Sequence, residues 1–234
     1  MSDADQTHTI DLDRILNQVG DPEAFIRDLR LARQERQLRR NQFIDSVAPD
    51  VKAEWIEGEA VFHSPARESH NATVYGLTQL LGPYDTYVRR IRVRVEKAMV
   101  KAGDNNFEPD VCVWFDGASE LDPATMVYPR PDLAVEVLSP RTADRDLGVK
   151  KREYARAGTA EYWVLDALEH RLRQFVNDAG RFREAQTFQV GDDFTSVALP
   201  DLRFPLDAIW DYDLRAEVGE GWVLARRARR QQAS

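Results

Sequence analysis

Three side chains in this sequence have the types and spacing to do chemistry together: Asp110, Glu136 and Lys150. Glu136 stands in Leu133-Ala134-Val135-Glu136-Val137-Leu138, with apolar residues on both sides. A carboxylate in a buried strand loses its water, so Glu136 must be protonated, paired with a cation such as Arg90 or Arg92, or bound to a metal ion. Asp110 follows Pro109 at the start of a second apolar run, Val111-Cys112-Val113-Trp114. If the two runs are neighbouring strands, the carboxylates lie about 5 Å apart and must share a proton or a cation. Oxygen ligands without a His/Cys cluster favour Mg²⁺ or Mn²⁺. Lys150 lies one turn into a helix after the Glu136 run, and helical side chains lean back toward the N-terminus. Its ammonium could there orient an attacking water or offset charge building on a phosphorane. Each residue also has a plainer reading: Asp110 as a turn cap, Glu136 as half of a buried ion pair, Lys150 as an exposed helix lysine.

The elements that must position these groups follow from the pattern around them. Asp21-Pro22 starts a helix reaching about Val47, and Arg27, Arg30, Arg33, Arg36 and Arg39 wrap it, because steps of three residues drift by about 60°. Residues 51–63 read as a hairpin turning at Glu57-Gly58. Ser64-Pro65 opens a second helix that Gly82-Pro83 ends, with His70, Val74, Leu77 and Leu81 on one face. His70 is thus beside the core, as a satisfied buried histidine or as part of a site. Tyr87–Val95 alternates apolar and basic residues, as a half-exposed strand does. Asp144 or Asp146 should cap a helix that stops at Gly158. Lys151, about 100° around that helix from Lys150, should face outward, and Tyr154 should share the Lys150 face. Strand, helix and the following Glu161–Asp166 strand make a βαβ unit with parallel strands. Two more strands, near Arg171–Val176 and Phe182–Phe188, continue the sheet, and the chain ends in a basic tail at Arg226, Arg227, Arg229 and Arg230.

With 234 residues, 43% of them hydrophobic, the chain can bury one sizeable core. A net charge of -8 excludes a generic polyanion binder while leaving room for a local basic groove. The one cysteine, Cys112, allows no intramolecular disulfide and no cysteine zinc site, and reads as core filler. No run approaches a membrane span, and a cytoplasmic location is expected.

Several segments, taken in order, resemble one family. Glu57-Gly58-Glu59 precedes Ser64-Pro65 and His70. Pro109-Asp110-Val111 follows, then Pro131-Asp132 through Glu136-Val137-Leu138-Ser139-Pro140, then Asp146, Lys150, Tyr154, Ala157-Gly158 and Glu161-Tyr162-Trp163-Val164-Leu165-Asp166. Over about residues 50 to 190 this resembles the Uma2 (DUF820) family of restriction-endonuclease-like proteins, within the PD-(D/E)XK nuclease superfamily. The resemblance implies an α/β (α+β) restriction-endonuclease-like core: a mixed β-sheet flanked by helices at 49–234, preceded by an N-terminal helical arm at 1–48. It implies Asp110 and Glu136 as metal ligands with Mg²⁺ or Mn²⁺, and Lys150 in place of the superfamily lysine, whose usual position two residues after the glutamate is here Leu138. Glu59 matches an early acidic position and could supply a further ligand, and His70 could face the site. The implied activity is metal-dependent hydrolysis of double-stranded DNA by a homodimer, for which Phe25, Leu29, Phe43 and Ile44 offer a surface. The alternative is a catalytically inactive nuclease-fold module that binds nucleic acid or another protein.

Overall fold

A computed structural model describes residues 20–48, 50–87, 91–115, 124–199 and 201–232. The chain falls into two compact units, residues 1–46 and 47–234. In the first, α1 (Pro22–Ser46) begins at Asp21, whose Oδ1 accepts the Ala24 amide at 3.0 Å. Its five arginines at positions 27 to 39 are all exposed, wrapping the helix as the spacing requires.

The second unit opens with the expected hairpin, β1 (Ala53–Ile56) and β2 (Glu59–Phe62), turned by Glu57 at φ 51° and Gly58 at φ 97°. α2 (Glu68–Tyr87) departs from expectation at both ends. It starts beyond Ser64-Pro65, with Glu68 in the first turn complementing the helix dipole. It also runs through Pro83, although a proline inside a helix costs about 3 kcal/mol. Leu80, Leu81 and Tyr84, all fully buried, hold that last stretch helical. The expected Tyr87–Val95 strand is shorter: Tyr87 instead ends α2, residues 88–90 lie outside the described residues, and β3 spans Arg92–Val95.

The chain continues through β4 (Met99–Ala102), β5 (Asn105–Phe107), β6 (Val111–Trp114), β7 (Val127–Tyr128) and β8 (Leu133–Val137). A helical segment follows: α3 (Ala143–Arg145), a π-helical turn (Asp146–Lys150) and α4 (Lys151–Ala157). Thr142, not Asp144 or Asp146, stands at its N-terminus. Asp146 is turned inward instead, because it faces Lys150. Gly158 ends the segment at φ 91°. Then come β9 (Glu161–Asp166), β10 (Arg171–Asp178), β11 (Arg181–Phe188), β12 (Asp193–Thr195), β13 (Arg203–Pro205) and α5 (Tyr212–Gln232). The basic C-terminal residues are therefore helical.

A six-stranded mixed sheet, β11-β10-β9-β8-β6-β3, is the centre of this unit, with β8 and β9 parallel as the βαβ reading requires. A five-stranded sheet, β2-β1-β5-β4-β7, stands beside it. Strand alternation divides the core. Val111, Val113, Leu133, Val135, Trp163 and Leu165 join α2 residues on one face. Cys112, Trp114, Ala134, Tyr162 and Val164 meet Tyr154, Phe107 and Val100 on the other. Asp110 and Glu136 have the parity of the second face. Gly76 brings α2 against the turn at Ile209, where any Cβ would lie 1.8 Å from the Ile209 carbonyl oxygen. No helix among the described residues is long and apolar enough to cross a membrane.

Candidate active site

Antiparallel pairing of β6 with β8 matches Val111 to Val135, so one further step sets Asp110 beside Glu136. The Val137 amide donates to Asp110 Oδ2 at 2.8 Å and ties the aspartate across the two strands. His70 Nε2 donates to the same oxygen at 3.0 Å, and Lys52 Nζ donates to Oδ1 at 2.8 Å. Lys52 also pairs with Glu96 at 2.9 Å. Burial pushes Asp110 up, but the His70 bond and the Lys52 charge outweigh it and hold the carboxyl well below the ordinary range. Burial opposes charge on His70, yet the bond to Asp110 raises its pKa above the ordinary value.

Lys150 is buried, and its Nζ lies 2.8 Å from Glu54 Oε1, 3.0 Å from Glu136 Oε1 and 3.4 Å from Asp146 Oδ1. One ammonium thus faces three carboxylates. Burial raises Glu136 well above the ordinary carboxylate value, with Lys150 opposing and the neighbouring acids adding to it. Asp146 is raised by burial in the same way, against Lys150. Burial also acts upward on Glu54, but Lys150 and the bond from His63 (2.9 Å) prevail and bring it down to about 2. Lys150 itself stays charged: burial lowers its pKa, and the three acids together lift it well above 10.5. Tyr154 shares the Lys150 face and donates to Glu136 Oε1 at 3.4 Å.

The structure therefore brings Asp110, Glu136, Lys150 and His70 together. Glu59 is exposed on the outer strand of the hairpin, and the buried glutamate of that hairpin is Glu54. Glu136 meets Lys150, which the helix after β8 delivers directly over it, while Arg90 lies outside the described residues. Lys151 is half-buried rather than outward, with Nζ 3.9 Å from the Phe175 ring centroid. Glu54 and Lys52, neither named from sequence, and Asp146, named there only as a helix cap and a motif residue, complete the cluster. Glu54 was detectable by the rule that found Glu136, since Ala53-Glu54-Trp55-Ile56 also places a carboxylate in an apolar strand.

The donor set suits a hard divalent cation. It is rich in carboxylate oxygens, it carries more acid than cation, and buried Asp146 Oδ1 makes no hydrogen bond, with only the Lys150 ammonium facing it at 3.4 Å. His70, Glu96 and Asp110 also present ligand atoms within 4.8 Å of one another, a group that could hold a metal ion.

Residues 40–208 match the pattern of the Uma2 family, described as "Putative restriction endonuclease". The chain belongs to the Uma2 family. An uncharacterised protein of Synechocystis sp. is 28% identical over 127 residues, covering 53% of this chain and 71% of the relative. The crystal structure of a protein from Anabaena variabilis, described as "a putative nuclease belonging to DUF820", superposes with a TM-score of 0.63 at 17% identity. That superposition covers 73% of this chain and 96% of the Anabaena chain. The fold is thus that of the DUF820 neighbour, a mixed sheet flanked by helices.

Proposed function

We propose that this Uma2 protein is a divalent-metal-dependent endonuclease hydrolysing phosphodiester bonds of double-stranded DNA, with Asp110 and Glu136 as the metal ligands. The observation that carries the reading is the acidic surplus around Lys150: three buried carboxylates share one ammonium, an arrangement that an added cation would relieve. A bound Mg²⁺ or Mn²⁺ would supply Lewis acidity toward a phosphoryl oxygen and toward water. The chain's own residues do the rest. Val137, His70 and Lys52 hold Asp110 ionised and fixed in direction. Lys150 keeps Glu54 and Glu136 from repelling each other apart. Lys52, with 21% of its side chain exposed against 3% for Lys150, is the ammonium that solvent and an incoming phosphate can meet. Cleavage of both strands calls for two sites, hence a homodimer, which sedimentation of the full chain would detect. The single cysteine suits a cytoplasmic setting.

Leu138, at the superfamily lysine position, and the enclosed Lys150 favour a second reading, a nuclease-fold module without turnover. Supercoiled plasmid separates the two. The full chain with Mg²⁺ or Mn²⁺ should give nicked or linear product, and both EDTA and Glu136→Ala should stop it. Undiminished cleavage by Glu136→Ala overturns the metal-ligand assignment. Calorimetric binding of Mn²⁺ without any cleavage supports the second reading.

A further inference from the structure

At the far end of α2 from His70 lies a cleft of about 560 Å³. His70 in the first turn of that helix and Tyr87 at its end lie roughly 25 Å apart along the axis at about 1.5 Å of rise per residue, so the cleft beside Tyr87 is separate from the carboxylate cluster that His70 joins. Arg203 from β13 and Arg226 and Arg229 from α5 line the cleft beside Tyr87 and Trp222, with Asp201 as its acidic member. None of these three arginines has a carboxylate within ion-pair distance among the described residues. Arg226 instead stands over the Tyr87 ring, 5.8 Å from its centroid. Trp222 is seated edge-on against the buried Tyr84, 5.9 Å between centroids, which fixes the wall from which Arg226 and Arg229 project.

The charge pattern of α5 sharpens the point. Asp213, Glu217 and Glu220 outnumber Arg215 in its first half, and Arg226, Arg227, Arg229 and Arg230 occupy its last turns. In a chain of net charge -8 this is a segregated positive patch rather than a sample of the average surface. Arg226 and Arg229, at i and i+3, present neighbouring guanidinium groups about 5–6 Å apart at their Cβ atoms. Long cationic side chains at that spacing, joined by Arg203 from a separate element, suit successive phosphates along one strand. The tyrosine and tryptophan walls suit the sugar and base surfaces beside them.

We infer that this cleft is a second nucleic-acid contact, in which Arg203, Arg226 and Arg229 hold the phosphate backbone of the DNA whose cleavage is assigned to the carboxylate cluster. The inference rests on the nuclease reading for the identity of the polyanion, and its test needs no catalysis. Fluorescence anisotropy in EDTA, with a labelled DNA duplex and the matching single strand, measures affinity across a salt series. Arg226→Glu combined with Arg229→Glu should weaken binding by about tenfold or more and flatten the logarithmic salt dependence by about 1–2 contacts. Arg203→Glu, on a different element, should lower it in the same direction, while far-ultraviolet circular dichroism and Mn²⁺ binding stay unchanged. Unchanged affinity and salt slope in both variants overturn the inference. So does a loss confined to anionic phospholipid vesicles with DNA binding intact, which would make the patch a membrane contact. If the variants lose DNA but the wild type never cleaves plasmid, the nuclease reading fails and the cleft stands.

Discussion

Two buried glutamates on adjacent central strands, Glu161 of β9 and Glu136 of β8, face opposite sides of the same sheet and are treated oppositely. Glu161 is surrounded by neutral donors. The Trp163 indole reaches it at 2.7 Å, the Gln174 amide at 2.5 Å, the Ser196 hydroxyl at 2.7 Å and the Ala198 amide at 2.8 Å. Its hydrogen-bonding capacity is filled from within, so it fastens β9 to β10 and the 195–198 segment. Glu136 shares one ammonium with Glu54 and Asp146, and Asp110 adds further negative charge to its surroundings. A buried carboxylate supplied with donors is structural, whereas one competing for a cation leaves a charge imbalance that a ligand can complete.

The largest break in that contrast should come from Lys150→Met. Three buried carboxylates would lose their common cation, at a cost of about 3–5 kcal/mol near neutral pH. Urea melts should show part of the loss recovered toward acid pH, as the acids take up protons. Next comes a pair of substitutions. Glu161→Ala strands an indole, two amides and a hydroxyl and should cost about 3 kcal/mol. Glu136→Gln removes surplus charge and should stay within about 1 kcal/mol of wild type while abolishing calorimetric Mn²⁺ binding. Equal destabilisation by the two would erase the distinction. The smallest effect is at Glu108, whose carboxyl accepts the Ala53 amide at 3.1 Å and which burial raises from 4.5 to about 7. The folded state binds this proton more tightly than the unfolded chain, so stability falls as pH rises from about 4.5 through about 7. Glu108→Gln should make that decline shallower in melting temperatures taken across the window.

Much of the frame was legible in the sequence because it rests on local signals. The turn at Glu57-Gly58, the stop at Gly158 and the parallel β8–β9 pair all follow from residues close together in the chain. The Glu136 anomaly was legible too, as a charge in an apolar run. What escaped depended on distant packing. Pro83 stays helical because Leu80, Leu81 and Tyr84 are buried against elements far along the chain. Glu54 enters the cluster, and Glu59 does not, because β1 is the inner strand of its hairpin and pairs with β5 as well as β2. Lys52 meets Asp110 across a separation of 58 residues, which no local pattern encodes.

The π-helical turn at Asp146–Lys150 has a consequence for how the sequence can vary. It holds one more residue per turn than the helix around it, and so acts as a phase shifter between the Thr142 end and the Tyr154 end. Loss of a single residue there, for instance Gly148, whose Cβ position meets nothing within 4 Å, would cost almost no packing at its own location. It would nevertheless turn the wide i,i+4 pairing of Asp146 with Lys150 into an α-helical i,i+3 pairing, and so change the angle at which Lys150 reaches Glu136 and Glu54. In this segment length is constrained more tightly than composition: substitutions are tolerated where a one-residue deletion is not.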